Sequence, residues 1–338
     1  MKNIIFLGLG SIGQRHFRNL KKIDKNLNFF CIRKKKIVPE LDNKNQVINK
    51  KYFTNTKGIK EIGWSDIKKY KIDTAFVTNP TSLHIETSLK LAKLNLNLFI
   101  EKPLSNDLKN IKKLKNVLIK NKLNCEIGFQ TRYDDLLIKL KKIIKSKKYG
   151  NIIKCNIDHC HFLPNHHKYE NYKISYASKK DLGGGVLLCF SHEIDYAEYL
   201  FGKPKKIIPI KMSSEKFLNI DVESSAQFSM LYKNNLPVTF NLDFIKNNPC
   251  RSCSIQFDYA YIRWDLLKNI IIIESKVNKK YKSKIKDRND IFLKSLKYVK
   301  YRFSKNKDAK NTFEKSFSNL KTILSIKKSF LKKKIINL

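Results

Sequence analysis

Apolar and polar positions alternate in short blocks over the first third of the chain. Apolar runs at Asn3–Leu7, Leu27–Ile32, Asp73–Thr78, Asn97–Ile100 and Asn124–Phe129 predict strands. Between them, apolar residues recur at three- and four-residue steps and predict helices, notably Gln14–Lys22, Ser82–Leu94 and Asp107–Lys120. Leu83, Ile85, Leu89, Leu91 and Ala92 give the second of these its apolar side. Strands alternating with helices argue for a parallel sheet covered on both faces.

After about residue 130 the pattern changes. A helix over Asp134–Lys147 ends near Gly150, and a strand follows over Ile152–Phe162. A loop rich in His and Tyr leads to Gly183-Gly184-Gly185 and a helix over Val186–Phe201, which Gly202 and Pro204 stop. Strand-like runs then crowd together at Lys206–Met212, Ser225–Tyr232, Leu236–Ile245, Ser252–Asp258, Tyr261–Asp265 and Asn269–Glu274. Short turns between successive strands predict an antiparallel or mixed sheet. Two basic amphipathic helices, near Asp290–Phe303 and Thr312–Lys328, close the chain. The division read from this is residues 1–125 and residues 126–338.

Composition changes the picture in two ways. The formal net charge is +41, from 70 Lys and Arg against 29 Asp and Glu. Such an excess suits nucleic acid or an anionic membrane surface, and a basic helix near the end suits the latter. The lysines run the whole length, however, and no RNA-binding aromatic signature or zinc-finger spacing goes with them. No specific nucleic-acid partner is therefore expected, and the same field serves an anionic cofactor or substrate. The 7 cysteines are scattered and odd in number, as free thiols in a reducing compartment are. With no secretory or transmembrane segment read, a soluble cytoplasmic protein is expected.

The most informative motif is Gly8-Leu9-Gly10-Ser11-Ile12-Gly13, directly after the first strand and opening the first helix. This is the G-x-G-x-x-G fingerprint in the context it requires. Gly8 permits the tight turn, Gly10 lets backbone approach a pyrophosphate, and Gly13 lets helix and strand pack closely. Backbone N–H groups at Ser11, Ile12 and Gly13 then face the anion. An acid about 20 residues on would accept from a ribose 2′-hydroxyl. Arg33 stands there instead, followed by Lys34-Lys35-Lys36, and no Asp or Glu occurs between Asp24 and Glu40. A guanidinium suits a 2′-phosphate, so NADP is expected to be preferred, with NAD possible.

Three further segments carry chemistry. Thr78-Asn79-Pro80 with His84 follows one predicted strand, and Glu101-Lys102-Pro103 follows the next. The third is Gly183-Gly184-Gly185 through His192-Glu193-Ile194-Asp195-Tyr196. With the glycine turn, and with Gly128-Phe129-Gln130-Thr131-Arg132-Tyr133, these resemble the glucose–fructose oxidoreductase, inositol dehydrogenase and rhizopine-catabolism family, Gfo/Idh/MocA. The resemblance covers nearly the whole chain. It implies an N-terminal Rossmann, doubly wound parallel sheet, then a C-terminal α/β domain with an open, largely antiparallel or mixed sheet. It also implies hydride transfer between NAD(P) and a sugar or polyol carbon, and dimers or tetramers through the open sheet.

Candidate roles follow from residue type and this resemblance. Lys102 orients a substrate hydroxyl and polarises a developing alkoxide or carbonyl. His192 transfers the proton, and Asp195, one turn on, orients the imidazole. Leu187, Phe190, Ile194, Ala197 and Phe201 form the packed stripe of that helix, with His192 on the other side. Thr78, Asn79, Pro80, His84, Glu101 and Lys102 join the glycine turn and Arg33 around the cofactor. The polar, aromatic loop from His159 to Tyr176 suits a sugar, with Arg132, His167, Tyr176 and His192 as contacts. A zinc-type reading of His159, Cys160, His161, His166 and His167 is set aside because Cys160 points away from its neighbours on a strand, and no metal is expected. One departure stands out: many relatives carry an acid one turn before the histidine, whereas Cys189 and Leu188 stand there. A catalytically impaired, redox-sensing relative is therefore an alternative, and a nucleic-acid or membrane-surface protein another. The segment from Leu163 to Tyr196 leans toward enzymes of surface-polysaccharide sugars.

Overall fold

The computed structural model describes residues 1–33, 39–42, 45–49, 58–305 and 310–338. Lys34, Lys35 and Lys36 lie outside the described residues. The chain divides into two units, residues 1–129 with 289–320, and residues 130–288 with 321–338.

In the first unit the apolar runs become strands. β1 (Asn3–Leu7), β2 (Asn28–Ile32), a small hairpin of β3 (Glu40–Leu41) and β4 (Val47–Asn49), then β5 (Ile59–Glu61), β6 (Thr74–Val77), β7 (Asn97–Ile100) and β8 (Cys125–Ile127) follow in order. Six of these form one sheet in the order β5-β2-β1-β6-β7-β8. Every pairing in it is parallel. Ile4, Ile5 and Phe6 have no exposed surface, as expected for a central strand covered on both faces. The chain winds outward from β1 to β5, then returns beside β1 with β6. That reversal places a ligand crevice at the carboxyl ends of β1 and β6.

The helices of this part are α1 (Ser11–Ile23), α2 (His84–Lys93) and α3 (Ile111–Lys120). α2 starts two residues later than the apolar spacing predicts, because Thr81–Leu83 form a 3-10 turn. Leu83 is consequently exposed, while Ile85, Leu89, Leu91 and Ala92 are buried.

The second unit begins with α4 (Asp135–Ser146), whose first turn is capped by the Asp134 carboxylate accepting from Leu136 and Leu137 N–H. β9 (Ile152–Cys160) follows, then α5 (Val186–Cys189) and α6 (Ser191–Phe201). Next come β10 (Lys206–Ser213), β11 (Ser225–Leu231), β12 (Pro237–Asp243), β13 (Cys250–Phe257), β14 (Tyr261–Asp265), β15 (Ile270–Glu274) and β16 (Lys279–Lys282). With β17 (Ile336–Asn337) they form a nine-stranded sheet, ordered β16-β15-β14-β13-β9-β12-β11-β10-β17. It is mixed: β9 and β12 run parallel and the other neighbours antiparallel. β11 and β12 alternate as half-buried sheet strands should. Ala226, Phe228, Met230, Val238, Phe240 and Leu242 are buried, and Ser229, Thr239 and Asn241 are half-buried.

The closing helices are α7 (Arg288–Ser304) and α8 (Lys310–Lys332). Sequence reading placed both in the second domain. Instead, Leu296, Val299 and Phe303 of α7 belong to the core of the first unit, with Phe6, Phe17, Phe29 and Phe99. Ion pairs hold the same helix, Lys300 to Asp24 at 2.5 Å and Arg302 to Glu126 at 3.2 Å. On α8, Phe313, Phe317, Leu320, Ile323 and Ile326 are buried. The main apolar stripe of each helix is thus buried in the fold, while Tyr298, Tyr301 and Leu331 stay exposed. Among the described residues no helix is long and apolar enough to cross a membrane.

Candidate active site

The glycine turn is built as its spacing requires. Gly8 has φ +100°, and a Cβ there would lie 2.9 Å from the Thr78 carbonyl oxygen. At Gly13 a Cβ would lie 2.4 Å from the Gly8 carbonyl oxygen and 2.9 Å from Thr78 Oγ1. Gly10 is different: a Cβ there meets nothing within 4 Å. Two glycines are therefore demanded by packing, and the middle one borders open space. The Thr78 hydroxyl donates to the Gly8 carbonyl at 2.6 Å, tying the end of β6 to the turn. Gly8 N–H donates to the Ile32 carbonyl at 3.3 Å, tying the turn to the end of β2.

α1 starts immediately after Gly10, with no side-chain cap and no acidic residue in its first turn. Its leading N–H groups at Ser11, Ile12 and Gly13 are left without intrahelical acceptors, a donor set suited to phosphate oxygens. The buried Asn79 Oδ1 beside the turn has no hydrogen-bond partner among the described residues, while its Nδ2 donates to Thr87 Oγ1 at 2.9 Å. An open glycine, an uncapped helix start and an orphaned acceptor fit a dinucleotide at the crevice of β1 and β6.

Lys102 sits one residue past Glu101, beyond the end of β7, half-buried, before a cis peptide bond to Pro103. Two buried side chains fix this loop. His84 Nδ1 lies 2.9 Å from the Pro103 carbonyl and Nε2 lies 2.9 Å from the Asn79 carbonyl. The imidazole thus bridges the loops after β6 and β7. Burial pulls its pKa below the usual histidine value, against the carbonyl contacts that raise it. Glu101 is turned inward: its carboxylate lies 2.6 Å from His16 Nε2 on α1 and accepts from Lys102 N–H at 3.1 Å. Its side chain is thus a buried brace under Lys102.

Arg33 follows the end of β2, as the cofactor reading requires. Its guanidinium donates from Nε and Nη2 to Glu61 Oε2, at 3.2 and 2.6 Å. Glu61 closes β5, the next strand in the sheet, and carries a charge that the motif alone did not single out.

In the second unit, His192 is buried on α6. Phe190, with φ −97° and ψ 29°, separates α5 from α6. Counting a single stripe through this segment therefore fails. Leu187, Phe190, Ile194 and Ala197 are buried, but so are His192, Glu193, Asp195 and Tyr196 on the other sides. The same break means that Cys189 and Leu188 are not simply one helical turn before His192. Asp195 receives both ends of the Arg132 guanidinium, Nε at 2.9 Å from Oδ2 and Nη2 on Oδ1. Structure thus brings together Asp195, expected to orient the imidazole, and Arg132, expected to contact substrate. His167 lies 3.2 Å from Glu170 and stacks on His166 and Tyr169, while Tyr176 opens a 3-10 turn whose carbonyl crowds Gly184.

Glu193 is the residue that sequence reading missed. It has no exposed surface, and its Oε1 lies 2.7 Å from Arg251 Nε on β13 and 3.1 Å from His159 Nδ1 on β9. Burial alone would raise its pKa, but Arg251 and His159 hold it well below the usual carboxylate range. His159 stacks on Phe190 with ring centres 3.8 Å apart, which carries the cluster to the α5–α6 break. His161, His166 and His167 continue as face-to-face imidazoles at 4.6 and 4.1 Å. Stacked rings present faces to one another rather than converging nitrogens. Among the described residues no group of three or more His, Cys, Asp or Glu is arranged for a metal ion.

Comparison with known proteins agrees with this architecture. Residues 2–129 match an oxidoreductase family with an NAD-binding Rossmann fold, and residues 137–261 match the GFO/IDH/MocA C-terminal domain. The chain belongs to the Gfo/Idh/MocA family. Among curated relatives, scyllo-inositol 2-dehydrogenase (NAD(+)) of Bacillus subtilis (strain 168) is 25% identical over 212 residues, covering 58% of this chain and 53% of that protein. An uncharacterized oxidoreductase, YrbE, of the same organism is 24% identical over 201 residues, covering 58% of this chain and 52% of that protein. The chain thus spans about half the length of these relatives.

Solved structures of similar fold include myo-inositol 2-dehydrogenase from Lactobacillus plantarum, with TM-score 0.78, 17% identity and coverage of 100% of this chain and 99% of that one. Levoglucosan dehydrogenase in complex with NADH and levoglucosan gives TM-score 0.81 at 14% identity, with 100% and 99% covered. At such identities the likeness is one of fold: a Gfo/Idh/MocA Rossmann sheet followed by a mixed sheet.

Proposed function

We propose that this protein transfers a hydride between a nicotinamide dinucleotide and a hydroxyl-bearing carbon of a sugar or polyol. The observation that carries the reading is the nucleotide cradle: Gly8 and Gly13 packed against backbone, Gly10 facing open space, and an uncapped α1 behind them. The nicotinamide ring, when bound, supplies the hydride acceptor or donor. The Lys102 ammonium holds the substrate oxygen and stabilises negative charge as it develops there. The His192 imidazole takes or returns the hydroxyl proton. Asp195 and Arg132 neutralise one another and keep α6 in place, and His167 and Tyr176 meet the substrate's hydroxyls. The inositol and levoglucosan dehydrogenases among the relatives support a polyol or sugar. A surface-polysaccharide sugar is the narrower form, supported by the segment from Leu163 to Tyr196. Arg33 suits a 2′-phosphate, so NADP is accepted alongside NAD. Association into dimers or tetramers through the nine-stranded sheet completes the proposal.

The test is turnover of inositols, aldoses and nucleotide sugars with NAD and NADP, followed by nicotinamide absorbance. Lys102→Met and His192→Asn are each expected to lower kcat by about 100-fold or more while nucleotide binding persists. Tight nucleotide binding with no turnover of any substrate would instead favour a redox-sensing role.

A further inference from the structure

The carboxylate that a nucleotide-binding second strand ordinarily supplies is missing here, since no acid occurs between Asp24 and Glu40. An acid nonetheless stands on the neighbouring strand, beside the end of β2. Glu61 ends β5, which pairs with β2 in parallel register, Cys31 opposite Glu61. Its Oε2 accepts from two nitrogens of Arg33, at 2.6 and 3.2 Å. The Gly8 N–H bond to the Ile32 carbonyl ties the residue before Arg33 to the glycine turn. The Arg33 side chain is 5% exposed and Glu61 40%, so the carboxylate is the member that faces solvent. Arg33 Nη1 is buried and has no partner among the described residues.

We propose that Glu61, together with Arg33, reads the 2′ position of the adenosine ribose and sets the balance between NAD and NADP. This rests on the reading of the chain as a nicotinamide enzyme. A 2′-hydroxyl donates to the exposed Glu61 carboxylate and leaves the Arg33–Glu61 pair intact. A 2′-phosphate accepts only. It must compete with Glu61 for the guanidinium and sits against a like charge. Arg33 attracts the phosphate and Glu61 opposes it, so the pair admits both nucleotides and Glu61 holds back NADP.

Nucleotide binding alone tests this, without a known substrate. NADH and NADPH are titrated against the full-length protein, Glu61→Gln, Glu61→Ala and Arg33→Gln, by nicotinamide fluorescence. Both Glu61 variants are expected to shift the ratio of dissociation constants toward NADPH by about tenfold. Arg33→Gln is expected to weaken NADPH more than NADH. Binding of both nucleotides with a ratio within about twofold of the unaltered protein in both Glu61 variants would overturn the inference and leave the nicotinamide reading intact. Failure of the unaltered protein to bind either nucleotide would overturn both.

Discussion

Glu193 shows how much one residue can decide. A carboxylate without exposed surface is tolerable only because Arg251 and His159 reach it. Removing one partner leaves a buried charge uncompensated, which costs about 3–5 kcal/mol. Glu193→Gln is expected to lose that much in urea unfolding, whereas Glu193→Leu combined with Arg251→Met is expected to lose less. His84 is the corresponding residue in the first unit. His84→Ala removes the bridge between the Asn79 and Pro103 carbonyls and is expected to cost about 2 kcal/mol or more and, on the proposed function, to lower kcat because the loop that carries Lys102 loses a tether. The histidine was visible in the sequence next to a strand end. Its role as a clamp was not, because both acceptors are backbone carbonyls that no side-chain pattern encodes.

At the scale of elements, the turn from β1 to α1 makes a sharp contrast between two glycines. Gly13→Ala drives a Cβ to 2.4 Å from the Gly8 carbonyl, so a stability loss of about 1–3 kcal/mol is expected in thermal or urea unfolding. Gly10→Ala meets nothing within 4 Å and should leave unfolding unchanged, yet weaken NADH binding by about tenfold or more as the Cβ enters the nucleotide's place. Equal stability losses in the two variants would contradict this account of the turn. Elsewhere, simple periodicity reached its limit. Phe190 interrupts the segment from Val186 to Phe201, so residues before and after it do not share one helical face. α7 reads as a basic amphipathic helix of the C-terminal part, but its apolar side completes the N-terminal core. Amphipathicity announces that a face is buried without saying against what.

For the whole molecule, the titration of its buried and half-buried histidines predicts its acid sensitivity. His84, His159 and His161 all have pKa values below the usual histidine value, chiefly because burial penalises the charged ring, and His161 is brought down to about 3. Each binds its proton more readily in the unfolded chain, where the value is about 6.5. Stability is therefore full above pH ~6.5 and falls as the pH drops through that value, by up to about 1.4 kcal/mol per pH unit for each such ring. The melting temperature is expected to fall between pH ~7 and ~5, and His161→Phe is expected to flatten the dependence. Glu193 acts in the same direction but only under stronger acid, since its pKa is held below the usual carboxylate range.

The sequence by itself determined the parallel sheet, the mixed sheet and the nucleotide turn, because each is encoded by local spacing: alternating apolar blocks, crowded short strands, and glycines at fixed intervals between a strand and a helix. Lys102 and His192 were singled out for a similar reason, being embedded in short contiguous motifs. Tertiary structure alone decided the Glu193, Arg251 and His159 cluster, the pairing of Arg132 with Asp195, the Arg33 and Glu61 pair, and the home of α7. Each of these joins residues distant in the chain. Charge pairing and core docking depend on where the fold brings side chains together, and that information is absent from any window of neighbouring residues.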